Sequence, residues 1–172
     1  MTDSAMKVRC FGREAALSIE PVVAADGRTR TVNVDAARRS EPNRYDWPDK
    51  LVVQVTGREL TDAVATVLGL RGRLECLHHG PRRDKGYRLE HRSSGLAFSV
   101  FAAGRGLRQV VLGPAERVAL AALLLQQLRH NHGALSVEAL VRTIELCYAS
   151  PPALAASDDA GTKGPVRHPA DS

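Results

Sequence analysis

The chain has 172 residues, a mass of 18.6 kDa, a formal net charge of +5 and a pI near 9.5. That length suffices for one domain, or two pseudo-repeated halves, around a real core, and the basic excess favours anionic partners, nucleic acid first. No apolar run reaches transmembrane length, no signal-peptide core opens the chain, and Cys10, Cys76 and Cys147 are odd in number and widely spaced; a soluble cytoplasmic protein with free thiols and no membrane role is expected.

Residues 1–5 are expected to fray, and Lys7 to Phe11, alternating charged and apolar, reads as a first strand. Ala15 to Val23 is a second, with Leu17 and Ile19 on one face and Ser18 and Glu20 on the other. Asp26-Gly27 is a hairpin signal, and Arg30 to Asp35 a third strand. Arg38 to Arg44 reads as a polar, basic loop. Leu51 to Val55 is a fourth strand that turns directly into a helix. Thr56 and Glu59 have capping-box spacing, Leu60, Ala63, Val64, Val67 and Leu68 form one apolar stripe, and Gly69 supplies the stop.

The same strand-to-helix grammar returns 57 positions later, at Gln109 to Leu128, after three further strands. Arg73 to His78 predicts strand five, with Leu74, Cys76 and His78 on one side. A cationic turn, Gly80 to Gly86, leads to strand six, Tyr87 to Arg92, where Tyr87, Leu89 and His91 oppose Arg88, Glu90 and Arg92. Leu96 to Ala102 is strand seven and Gln109 to Leu112 strand eight. Pro114 and Glu116 then open a helix that runs through Val118 to Leu128. Because Val118 to Leu125 is apolar on every side, this helix predicts burial against a partner subunit as well as its own sheets. Ser136 caps a third helix reaching about Tyr148, and the Pro-, Ala- and Asp-rich remainder predicts a disordered tail.

Catalytic chemistry finds little support. There is no phosphate loop, nucleophile elbow or H-E-x-x-H, and Cys76-Leu77-His78-His79 lacks a second ligand pair at zinc-site spacing. No enzyme activity, metal or cofactor is expected. Binding a single strand calls for cations along the phosphates and flat rings under the bases. Arg38, Arg39 and Arg44 form one cationic cluster beside Tyr45, Trp47 and Lys50, and Arg82, Arg83, Lys85, Arg88 and Arg92 form a second around Tyr87. These twelve residues are the candidate nucleic-acid contacts. Phe98, sharing a face with Leu96 and Val100, is expected in the core.

Three stretches together resemble the Whirly family of single-stranded DNA-binding proteins. Ala15-Ala16-Leu17-Ser18-Ile19-Glu20-Pro21-Val22 is similar to its second strand. Arg44-Tyr45-Asp46-Trp47, then Lys50 and Thr56-Gly57-Arg58-Glu59, is similar to its tyrosine-aspartate-tryptophan segment and first helix, and Gln109 to Glu116 to its second strand-to-helix junction. The resemblance implies an α+β fold of two tandem four-stranded antiparallel sheet-plus-helix units, single-stranded DNA binding, and a homotetramer assembled through the helices. The expected organisation is a Whirly-like nucleic-acid-binding domain over residues 7–133, a C-terminal helix over 134–149 and the tail over 150–172. Where the family has lysine-glycine-lysine before alanine-alanine-leucine, this chain has Gly12-Arg13-Glu14. With no transit peptide ahead of the domain, the sequence fits a bacterial, phage or mobile-element relative better than a plant organelle protein. An RNA-binding or RNA-annealing protein, or an oligomeric scaffold without nucleic-acid activity, are the alternatives.

Overall fold

The computed structural model describes residues 6–149; the expected frayed N-terminus and disordered tail lie outside these residues. Two four-stranded antiparallel sheets follow one another along the chain. Sheet A has the order β1 (Val8–Phe11), β2 (Ala15–Val23), β3 (Arg30–Glu41), β4 (Arg44–Gln54), and leads into α1 (Gly57–Leu68). Sheet B has β5 (Arg73–His79), β6 (Lys85–Arg92), β7 (Gly95–Ala102), β8 (Gly106–Leu112), and leads into α2 (Pro114–Asn131) and α3 (Val137–Tyr148). The expected tandem sheet-plus-helix fold, with its C-terminal helix, is the fold observed.

The helix signals act as read. Thr56 Oγ1 accepts from the Glu59 N–H at 3.3 Å, and the Glu59 carboxylate accepts from the Thr56 N–H at 2.9 Å, closing the capping box. Gly69, at φ 89°, ends α1 in the left-handed conformation that glycine adopts without strain. Ser136 caps α3 by accepting from the Ala139 N–H.

Alternation along the strands sorts the core. Val8 and Cys10, Leu17 and Ile19, Val34 and Ala36, and Leu51 and Val53 pair across sheet A and are buried. Leu74, Tyr87, Leu89, Phe98, Val100 and Val110 do the same in sheet B. The helices are exchanged between the halves: α1, which follows sheet A, packs chiefly on β5 and β6, and α2, which follows sheet B, packs on β1 and β3. Asn131 at the end of α2 holds the start of β3 at two points, accepting from the Arg30 N–H at 2.7 Å and donating to its carbonyl at 2.8 Å. Arg117 donates to the Val67 carbonyl at 2.6 Å and joins α2 to α1.

Two expectations need correction. The stretch read as a basic loop, Arg38 to Arg44, is mostly strand: β3 runs on to Glu41 and turns through Pro42 and Asn43 into β4. Charge hid a hairpin whose turn has proline before a residue at positive φ, Asn43 at 61°. Second, β5 is bulged. His78 adopts φ 65° and the register shifts between Cys76 and His79, so His79 rather than His78 joins Leu74 and Cys76 on the buried face. Within the chain α2 buries Leu120, Leu123, Leu124 and Leu128 and leaves an apolar stripe around Val118 and Ala122 in solvent.

Two polar clusters join these layers. The Arg108 guanidinium, 2% exposed, donates to the carbonyls of Ala36 at 2.7 Å and Asp49 at 2.6 Å and to the Asp49 carboxylate at 2.9 Å, linking β8 to both β3 and β4. Arg105 donates to the same carboxylate at 2.6 Å. In the second cluster Glu59 faces His79 Nε2 at 3.1 Å and accepts from the Tyr87 hydroxyl at 3.1 Å. Burial alone would raise the Glu59 carboxyl, but its contacts with His79, the Thr56 N–H and Tyr87 outweigh burial and hold it at about 2, below the ordinary 4.5.

Replacing Arg108 by Met strands two carbonyl acceptors at the sheet junction, and a urea melt should show a loss of about 1–3 kcal/mol; an unchanged midpoint would show that water replaces the guanidinium. Because the folded-state pKa of Glu59 is depressed, its contribution is present above about pH 4.5 and lost as pH falls toward about 2. Glu59→Gln should lower stability at neutral pH and flatten the acid limb over that window in a series of urea melts.

Candidate nucleic-acid interface

The segment Tyr45-Asp46-Trp47-Pro48-Asp49-Lys50 owes its shape to a mismatch in strand register. Arg38 pairs with Asp46 and Ala36 with Leu51, so four residues, Trp47 to Lys50, stand opposite Ala37 alone. Pro48, with no N–H for a ladder, suits such an excursion. The bulge sends its residues two ways. Asp49 turns toward sheet B and meets Arg105 and Arg108. Trp47 and Lys50 stand on the face of sheet A that the helices leave uncovered.

That face carries three rings. Tyr45 donates to the Gly12 carbonyl at 2.8 Å, and its ring centroid lies 5.6 Å from that of Phe11, tilted by 43°. Phe11 and Trp47 line one shallow groove with Tyr45, Asn43 and Arg44, and an adjoining pocket with Lys7, Arg9, Ser18, Asp35 and Lys50. Phe11 is 61% exposed, the most exposed ring of the three. It was missed among the candidates, although its signal was present: in the Lys7-to-Phe11 alternation it falls on the charged side with Lys7 and Arg9. A large ring on a polar face is the informative exception.

The cations fall into three groups. Arg44 and Lys50 flank the rings, Arg44 against Glu41 at 3.3 Å and Lys50 against Asp35 at 2.5 Å. Arg38 and Arg39 lie at the β3–β4 hairpin and donate to the carbonyls of Arg105 and Arg13 at 3.1 and 2.9 Å. Arg82 and Arg83 occupy the β5–β6 turn, with no ion pair among the described residues, and Lys85 ties the base of that turn to β4 by donating to the Val52 carbonyl at 3.2 Å. The structure thus brings the β5–β6 turn to the edge of sheet A.

The remaining candidates lie apart. Arg88 and Arg92 project from the outer face of sheet B, where Arg73 and Arg88 pair with Glu75 and Arg92 with Glu90; Arg88 also covers Phe101 at 5.9 Å. The hydrogen bonds to these cations hold the Glu75 and Glu90 carboxyls below their ordinary range. Tyr87 must be withdrawn as a stacking ring. It is 0% exposed, faces the core between Cys76 and Val100, and burial raises its hydroxyl far above the ordinary range. Cys76 shares this interior, and burial pushes its thiol up to about 11. No group of three or more His, Cys, Asp or Glu is arranged to hold a metal among the described residues, and no described helix is long and apolar enough to cross a membrane.

No protein-family model and no curated protein matches the chain. Solved structures do. The plant transcriptional regulator PBF-2 superposes with a TM-score of 0.59 at 19% identity, over 78% of this chain and 86% of that one. WHY3 from Arabidopsis thaliana gives 0.55 at 20% identity, over 82% and 95%, and WHY1 from the same plant 0.55 at 17%, over 76% and 92%. The Whirly resemblance read from the sequence therefore holds at the level of the fold: the chain has the fold of these proteins across most of its length.

Proposed function

We propose that the protein binds single-stranded DNA along the outer face of sheet A. The observation that carries this reading is the cluster of Phe11, Tyr45 and Trp47 on an uncovered sheet face, bordered by Arg9, Arg44 and Lys50, with the turn that carries Arg82 and Arg83 tied to β4 through Lys85. Rings of this kind accept the π-face of any base, and cations set along a sheet edge follow the phosphates. Arg38 and Arg39 extend the cationic rim at the hairpin. Arg88 and Arg92, held by carboxylates on the other sheet, are outside it. The likeness to a plant transcriptional regulator supports a role in transcription, with replication and recombination open to the same binding chemistry. No catalytic role is proposed for any residue.

The protein acts as a homo-oligomer, a tetramer in the arrangement that the Whirly resemblance implies. Val118 is 69% exposed on α2, beside Pro114, Ala121 and Leu68, an apolar strip with no cover among the described residues.

Trp47 is the only tryptophan, so its emission reports directly on the site. Adding a mixed-sequence single strand should quench it, and Phe11→Ala or Trp47→Ala should weaken binding by about 1–3 kcal/mol with the salt slope unchanged. Arg82→Ala with Arg83→Ala should instead lower the slope of log K against log salt by ~0.7 for each phosphate that is no longer neutralised, while Arg88→Gln should leave it alone. Duplex DNA or matched RNA binding as tightly as the single strand across the titration would overturn the assignment. For the assembly, light scattering should give a multiple of 18.6 kDa, reduced to the monomer mass by Val118→Asp with the fold retained; a monomeric parent protein would remove the proposed interface.

A further inference from the structure

The pocket beside the rings has a polar floor that ring stacking does not use. Arg9, Ser18 and Asp35 are direct cross-strand neighbours in a row across β1, β2 and β3, on the same face as Phe11. Ser18 is 5% exposed and Asp35 8% exposed, and both line a pocket of about 260 Å³ walled by Phe11, Trp47, Arg9, Lys7 and Lys50. The volume is below that of a drug-sized site and suits a single planar ring. The Ser18 hydroxyl is buried and has no hydrogen-bond partner. An unpaired buried hydroxyl is a rare and unfavourable feature in a folded protein. Sheet B shows the ordinary solution at a comparable place: the buried Ser99 hydroxyl, also on an outer face, is satisfied by Gln109 at 3.0 Å. The Asp35 carboxylate, for its part, spends one oxygen on Lys50 Nζ at 2.5 Å, and its other oxygen has no partner among the described residues.

On the reading that this face binds a single strand, we propose that the pocket receives one unstacked base and selects bases with an exocyclic amino group over thymine. The free Asp35 oxygen is an acceptor, and a carboxylate accepts from an exocyclic amine, as from cytosine N4. In cytosine the neighbouring ring nitrogen N3 is an acceptor, which the Ser18 hydroxyl satisfies by donating. The two floor groups therefore match an amine next to a ring acceptor. Adenine offers the same pair on its N6 and N1 edge, and guanine offers N–H donors to the carboxylate. In the register that seats cytosine, thymine places its O4 acceptor where cytosine carries the amine, so its carbonyl meets the carboxylate with no proton between them; it can offer its N3–H instead only by shifting one ring atom along the floor, out of the register in which the amino bases sit. Lys50 holds the carboxylate in place, and the Phe11 and Trp47 rings hold the base. Preference arises at this one position, and the rest of the strand remains sequence-tolerant.

The test compares oligo-dC with oligo-dT of equal length on the full chain, at matched salt and slightly alkaline pH, by fluorescence anisotropy. The parent protein should bind oligo-dC roughly three- to tenfold more tightly, the range of one net hydrogen bond. Asp35→Asn, whose amide both donates and accepts, should bring the ratio to within twofold. Ser18→Ala should reduce the ratio with the salt slope unchanged, and because its hydroxyl has no partner to lose it keeps the test decisive should Asp35→Asn fail to fold. Equal or tighter binding of oligo-dT by the parent protein would overturn the base selection and leave single-strand binding standing. A parent protein that binds neither oligonucleotide would overturn both.

Discussion

The contact on which the two halves depend is Arg108 with Asp49. A guanidinium at the junction of two sheets is costly to desolvate, and it is tolerated because two backbone carbonyls and a carboxylate accept from its two terminal nitrogens, although its Nε has no partner among the described residues. Asp49 can serve only because β4 departs from its ladder for four residues. The same departure turns Trp47 and Lys50 outward. One irregularity therefore supplies both the clamp between the sheets and half of the candidate site, so the position of the rings is set by the most constrained polar contact in the molecule.

The sheets share a topology but not an outer surface. On sheet B, Arg73, Arg88 and Arg92 alternate with Glu75 and Glu90 in a network that satisfies itself, and Phe101 lies under a guanidinium. On sheet A the outward carboxylates Glu20 and Asp35 pair with Lys7 and Lys50, while the rings are uncovered and a buried hydroxyl stands unpaired. A tandem fold gives two similar platforms; local composition leaves one of them available for a ligand.

Much of this was legible in the sequence, and the failures have physical causes. The capping box, the Gly69 stop, Pro114 at the head of α2 and the ends of β2 depend on neighbours a few residues apart, and local chemistry determined them. Tyr87 and Phe98 were assigned from the same alternation, yet only Phe98 was assigned to the core, because alternation separates the two faces of a strand without saying which face a helix covers. The bulge in β5 exchanged His78 for His79, a shift that follows from one residue at positive φ and leaves no mark in hydrophobicity. Arg38 to Arg44 looked like a loop because strands that project past the core bury little, so their residues are chosen for the solvent they meet. The exchange of helices between halves depends on contacts far apart in sequence and carries no local signal.

That exchange has a consequence for how the chain is made. During synthesis sheet A emerges complete by Gln54, but the helix that covers it does not begin until Pro114. For some sixty residues the first sheet has its apolar face open, and α1 likewise waits for β5 and β6. Neither half can close its core before the other exists, so the molecule gains nearly all of its burial in one late step, when α2 returns across β1 and β3.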